Sequence, residues 1–315
     1  MWLLLKYTLL YAAVLTLVAL GGMFSERSGV INIALEGIMV IGGLVGVVAI
    51  NLLNAWGAPV FVGVIAAVLA SAVAGLLYSS LLAFSAINLK ADQTIGGTAL
   101  NLLATALAMV IAKRINGSDS PKIVYSTNSN KIFNSANFSF QVGSLTLNWF
   151  LLVTVIALVA AWFILYRSRF GMRLMACGEH PQAADSVGIN VYKMRWAGVL
   201  MSGALGGIGG MAYIVPAVGE WNFEMGVAGM GFLALAVMIF GQWKPLNIAA
   251  AALFFAVFRA MANIYDSFGF LARLGWPKEI YNMMPFVASM IVLAFTSKSS
   301  RAPKAEGIPY DKGSR

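Results

Sequence analysis

Charge is what this sequence has least of. Asp, Glu, Lys and Arg make up only 10% of its 315 residues, where an ordinary soluble domain carries about a quarter. A soluble fold of this length would lack the polar surface to cover its core. Histidine and cysteine are scarcer still, with one of each, His180 and Cys177, in a single polar loop. A disulfide within the chain is excluded, and a metal site built from Cys and His has too few ligands. No G-x-x-x-x-G-K-[ST] phosphate loop, H-E-x-x-H or C-x-x-C occurs, so the chain lacks that ATP-binding loop and both metal and thiol pairs. A lone His180 beside Pro181 is a poor general base for a triad. Enzyme readings start from almost nothing.

Apolar residues fill the space that charge leaves. They are 60% of the chain, with a mean hydropathy of +0.83, so the bilayer is the solvent for most of it. Apolar runs of about 20 residues, the length that crosses a bilayer, lie near 3–23, 30–53, 59–86, 93–112, 148–166, 196–217, 227–241, 245–265 and 280–297. The expected fold is an all-α polytopic membrane protein of about nine transmembrane helices, some discontinuous. The third run is long enough to tilt or to hold a break, and the seventh is short. The first carries a single Lys6 and no A-x-A cleavage site, and is expected to be a retained membrane helix. Thirty-two glycines fit the same solvent, because small residues let membrane helices approach closely. Gly203, Gly206, Gly207, Gly209 and Gly210 are of this kind; no strand precedes them, so a dinucleotide loop fails its context.

The net charge of +9 sits mostly between the apolar runs, which points to the positive-inside bias rather than to nucleic acid. If 24–29, 87–92, 167–195, 242–244 and 298–315 face the cytoplasm, they hold thirteen of the 21 basic residues. That asymmetry predicts an outside N-terminus and a cytoplasmic C-terminus. The chain then divides into a permease domain, 1–297, and a short solvated cytoplasmic tail, 298–315. The domain carries a cytoplasmic loop, 167–195, and an Asn- and Ser-rich extracytoplasmic segment, 113–147, read as a loop or short hairpin. Arg259 falls inside a span and is expected to snorkel outward.

Two segments are glycine-broken and polar at membrane depth, Ser25–Gly37 and Lys90–Asn101. Paired interruptions of this type mark an internal repeat and a transport path. Asn32, Gln93 and Asn101 are therefore candidate path residues, though buried amides equally join helices to one another. Glu36, an acid well inside an apolar run, is a functional candidate by its cost; alternatively it pairs with Arg27 or a backbone amide. Trp221 and Asn222, in a short outside loop with Glu220, Phe223 and Glu224, either stack on a passing base or anchor the membrane interface.

In the 167–195 loop, Pro181 suits the first turn of a short helix and Gly188 its C-terminal cap. The spacing Gln182-Ala183-Ala184-x-x-x-Gly188 resembles the E-A-A-x-x-x-G loop of ABC importer permeases, with Gln in place of Glu and no Ile-x-Leu-Pro after Gly188. Longer stretches, Phe24–Gly37, Gly178–Ala184 and Gly231–Gly241, resemble the nucleoside and simple-sugar branch of the ribose and branched-chain amino acid permease superfamily. The likeness runs from about Gly21 to the tail.

The resemblance implies a bacterial inner-membrane permease that is not itself an enzyme and binds no cofactor of its own. Its partners would be a second, similar permease, an ABC ATPase subunit carrying the ATP, an extracytoplasmic substrate-binding lipoprotein and membrane lipid. The ATPase-coupling loop would comprise Glu179, His180, Pro181, Gln182, Ala183, Ala184, Asp185 and Gly188. The implied substrate is a nucleoside, then a simple sugar, then a branched-chain amino acid. A self-sufficient ion-coupled carrier is the rival reading, and would require intramembrane carboxylates, for which only Glu36 qualifies.

Overall fold

Uniformly apolar runs have no amphipathic face to turn inward, so in lipid they close every backbone hydrogen bond within the helix. A computed structural model describes residues 2–125, 138–142, 145–216, 220–268, 273, 275–296 and 302–313. The helices are α1 (Trp2–Arg27), α2 (Leu35–Ala55), α3 (Val60–Ala83), α4 (Gln93–Asn116), α5 (Trp149–Arg167), α6 (Arg169–Glu179), α7 (Pro181–Ser186), α8 (Val191–Ile214), α9 (Met230–Phe240), α10 (Pro245–Asn263) and α11 (Lys278–Thr296). Eight segments among the described residues are long and apolar enough to cross a membrane. The ninth expected run, 280–297, coincides with α11, which lies outside those eight. The count is thus eight to nine, and the all-α membrane fold stands.

The breaks fall where the sequence is polar. The long third span ends in a π-helical turn, Phe84–Asn88, and the seventh is a half-helix, α9, preceded by a 3-10 turn at Phe223–Met225. Four short strands cap one end: β1 (Lys122–Val124) pairs antiparallel with β4 (Glu220–Asn222), and β2 (Ser139–Val142) with β3 (Leu145–Asn148). Of the 113–147 segment, read as a loop or short hairpin, the described part holds β1 and most of the β2–β3 pair, while 126–137 lies outside the described residues. At the opposite end α6 and α7 form an elbow between α5 and α8.

α1 and α8 are the most buried spans, whereas α3 and α5 turn Phe61, Leu69, Leu77, Val159 and Phe163 outward. The glycines of α8 explain its central place. A Cβ on Gly207 would lie 2.2 Å from the Ser71 carbonyl oxygen, and one on Gly210 only 1.9 Å from that of Met39. Backbone thus meets backbone among α2, α3 and α8, and the Ser71 hydroxyl donates to the Gly42 carbonyl across the contact. This is the close packing that replaces hydrophobic driving force in lipid.

The tail departs from expectation. Among the described residues of 302–313, Ala305 and Tyr310 are buried, and the segment folds back over the elbow instead of trailing into solvent. Tyr310 reaches an apolar cluster with Cys177, Ala184 and Val191 that the membrane core does not fill.

Candidate transport site

The two polar breaks that the sequence singled out lie against each other. The chain between α1 and α2, 28–34, has no helical partner for its backbone groups, which at membrane depth must find one. The end of α1 and side chains of α4 supply it, the Ser25 carbonyl accepting from Val30 N–H and the Ser25 hydroxyl donating to the Val30 carbonyl. Gln93 Oε1 accepts from the Ile31 N–H at 2.7 Å, and Asn101 Oδ1 accepts from Gly37 at 2.7 Å while its Nδ2 donates to the Ile33 carbonyl at 2.9 Å. Asn32 Nδ2 donates to the Ser202 hydroxyl at 2.7 Å. α4 starts where it does because Asp92 caps it, accepting from Thr94 and Ile95 at 2.8 and 3.0 Å. Of the two uses open to these amides, the helix-joining one is occupied. Asn32 Oδ1 and Gln93 Nε2 remain without a partner among the described residues.

Glu36 lies on the inner side of the same constellation. Its carboxylate accepts from the Gly229 N–H at 2.9 Å and the Gly231 N–H at 2.7 Å. It thereby caps the half-helix α9 at the positive end of its dipole. Of the two structural partners considered for Glu36, the backbone amide is the one found. Arg27 instead donates to the Trp243 carbonyl at 3.1 and 3.3 Å and lies 3.9 Å from Glu179.

Trp221 and Asn222 sit at the far end of the same segment. The Trp221 indole donates to the Gly226 carbonyl at 2.9 Å and packs edge-on against Tyr213, 5.4 Å between centroids. Asn222 caps the turn that follows, accepting from Glu224 at 3.1 Å. The bonds of Trp221 to Gly226, of Glu36 to Gly229 and Gly231, and of Asn101 to Gly37 thus link the 220–231 segment to α2 and α4. Arg259 does not simply snorkel: it donates to the Tyr213 hydroxyl at 3.1 Å and lies 5.8 Å over the Tyr11 ring.

The elbow has the expected form. Pro181 opens α7, and Gly188, at φ +83°, closes it, with its N–H bonded to the Asp185 carbonyl at 2.9 Å. His180, Gln182, Ala183 and Gly188 are exposed, and Glu179 and Asp185 half-buried. Ala184 and Pro181 face inward. Ala184 packs toward Cys177 and Tyr310, so it belongs to the support of the elbow and not to its outer surface. Burial pushes the Cys177 thiol up to about 11, against the opposing pull of the Arg195 guanidinium.

Sequence reasoning passed over several residues that hold this arrangement. Glu26 is buried and accepts from the Trp243 indole at 2.6 Å, tying the end of α1 to the α9–α10 turn. Ser202 and Arg195, both buried in α8, were lost among glycines and loop cations. The available signal was that Glu26 and Arg27 adjoin a glycine break.

A family model described as branched-chain amino acid transport system / permease component matches residues 4–294. The chain belongs to this permease family. Over 98% of this permease and 96% of the relative, it is 38% identical to the guanosine ABC transporter permease protein NupQ of Bacillus subtilis. It is equally similar, at 38% over 96% of its length and 95% of the relative, to the nucleoside ABC transporter permease protein NupC of Lactococcus lactis. A more distant relative from that second organism, the nucleoside ABC transporter permease protein NupB, is 26% identical over 64% of this permease and 54% of its own length.

Proposed function

We propose that this permease forms half of the pore of an ATP-driven importer that brings nucleosides across the cytoplasmic membrane. The observation that carries the reading is the near full-length 38% identity to permeases named for guanosine and for nucleosides. The geometry agrees with it. A polar but largely uncharged constellation, Asn32, Gln93 and Asn101 against a half-helix capped by Glu36, suits a neutral, hydrogen-bonding solute.

The elbow face is the cytoplasmic one in this reading. It carries the C-terminal tail, the basic ends of α1 and α5, and α7, which seats in an ABC ATPase subunit. The strand-capped face meets a substrate-binding lipoprotein. The second half of the pore is a homologous permease, for which the similarity to both NupC and NupB from one organism is the support. Energy enters by closure of the ATPase on α7, which biases the permease between two states of access.

An ion-coupled carrier is the second class of reading, and Glu36 is the candidate the sequence offers for it; Glu26, also buried, accepts from the Trp243 indole. With both carboxylate oxygens engaged by α9 amides, Glu36 is occupied as a cap. Purification from native membranes in gentle detergent, followed by guanosine uptake into proteoliposomes, tests the proposal. Co-recovery of an ATPase and a second permease, with uptake that requires internal ATP, is the expected result. Recovery of the chain alone, with uptake that follows an ion gradient, would overturn it; uptake of glucose or leucine in place of guanosine would overturn the substrate alone.

A further inference from the structure

The tail, Ala302–Gly313, touches each part of the coupling face. Ala305 N–H donates to the Gly178 carbonyl at the end of α6, 2.8 Å, and Gly307 N–H to the Gly29 carbonyl between α1 and α2, 3.3 Å. Arg195, buried at the base of α8, donates to the Ile308 carbonyl at 2.8 Å. Tyr310 is buried in the cluster beneath α7 and meets Tyr192 edge-on at 5.3 Å. Beyond it Asp311 pairs with Lys90, 3.1 Å, and Lys312 with Asp185 of α7, 3.8 Å. Those two pairs are largely solvated and contribute little. The buried tyrosine and the three backbone contacts hold the segment.

The two backbone contacts at Gly178 and Gly29 are the informative ones, because they join the elbow to the polar break. α6 already rests there: a Cβ on Gly178 would lie 2.3 Å from the Arg27 carbonyl oxygen. Between these two contacts the Glu306 carboxyl is half-buried beside Glu26, and burial holds it above the usual carboxylate range. The segment thus spans the lever and the part of the path that the lever has to move.

We propose that residues 302–313 act as a positioning strap for transport, clamping the α6–α7 elbow to the 28–34 break so that the two move as one body. Without the strap the elbow is held by α5 and α8 at its ends and by the α6 contact at Arg27, and α7 beyond that contact would yield locally when pushed. With the strap, displacement of α7 reaches Gly29 and, three residues further along the break, the Asn32–Ser202 contact. Tyr310 is the anchor, and Arg195, through the Ile308 carbonyl, fixes the register. The inference rests on the reading of α7 as the seat of an ATPase.

Cys177, the only cysteine in the chain, lies fully buried under Tyr310 and reports on the strap without any added label site. In the purified complex the experiment compares wild type, Tyr310→Phe and Tyr310→Ala for guanosine moved per ATP hydrolysed, for ATPase subunit retained, and for Cys177 labelling by a small maleimide with and without ATP. The expected result is a wild-type Cys177 protected in both nucleotide states. Tyr310→Ala should lose at least ~5-fold in guanosine moved per ATP while retaining the ATPase and gaining Cys177 labelling, and Tyr310→Phe should behave as wild type.

Cys177 labelling that rises with ATP in the wild type would overturn the clamp, since elbow and tail would then part during the cycle. So would an unchanged ratio in Tyr310→Ala, or a loss of transport only in proportion to loss of the ATPase subunit. Should Tyr310→Ala fail to accumulate, the wild-type labelling in the two nucleotide states decides alone. Wild-type uptake without ATP would instead bring down the importer reading together with the strap. Absence of guanosine uptake would remove only the substrate, leaving the labelling result to decide the strap.

Discussion

At the scale of single residues, the side chains of Asn32, Glu36, Gln93 and Asn101 each hold a protein partner before any solute arrives. Asn32 Oδ1 and Gln93 Nε2 are left over among the described residues. Asn101 bonds both Gly37 N–H and the Ile33 carbonyl, so Asn101→Leu orphans one donor and one acceptor in a setting without water. Each costs ~1–3 kcal/mol, and the variant should melt at a clearly lower temperature in detergent than wild type. Glu36→Ala likewise strips the caps from Gly229 and Gly231 and should destabilise by a similar amount. Glu36→Gln is the discriminating variant. It keeps an oxygen acceptor for α9 and removes the charge, so ATP-driven uptake should persist within a few-fold, measured in proteoliposomes. Uptake abolished by Gln with normal melting would instead mark Glu36 as an ion-coupling acid. The sequence identified Asn32, Glu36, Gln93 and Asn101 as costly at membrane depth. Their partners were out of its reach, because each lies on another element, 62 to 195 positions along the chain.

At the scale of elements, two features invite substitution. The α8 stripe meets α2 and α3 at backbone distance, and Gly207→Leu has nowhere to place its side chain. Such overpacking costs about 3 kcal/mol or more, and the variant should be depleted from the membrane by immunoblot. α7 is the other. Gly188 has open space around it and φ +83°, so a side chain there meets only the left-handed backbone cost of about 1–2 kcal/mol. Gly188→Glu should therefore insert normally and, on the proposal that α7 seats in an ATPase, lose transport through its charge. Ala184→Glu is a different experiment. It forces a carboxylate among Cys177, Val191 and Tyr310 and should lower the amount of protein as well as its activity. The helix and its glycine stop were legible in the Pro181-x-x-x-x-x-x-Gly188 spacing. Which alanine turned inward was not, because six residues of α7 carry too little pattern to fix a face.

At the scale of the whole molecule, the described elements place the elbow, the basic helix ends and the tail at one end and the short strands at the other. Membrane-impermeant maleimide should label Ser118→Cys in intact cells, and Val187→Cys only after the membrane is opened; the reverse pattern would invert the orientation. The membrane class, the approximate number and position of the spans, the elbow and the family resemblance all followed from the order of residues. They are one-dimensional properties: apolar length against bilayer thickness, a cap, a spacing. The tail did not follow. Its prolines and charges read as solvated, yet Ala305 and Tyr310 are buried by an elbow that itself exists only once α5 and α8 are side by side. The sequence alone determined that this chain dissolves in lipid and that a short capped helix interrupts its spans. Tertiary structure decided what that elbow is fastened to, because hydrogen bonds between distant breaks and burial against a neighbouring helix depend on which segments meet.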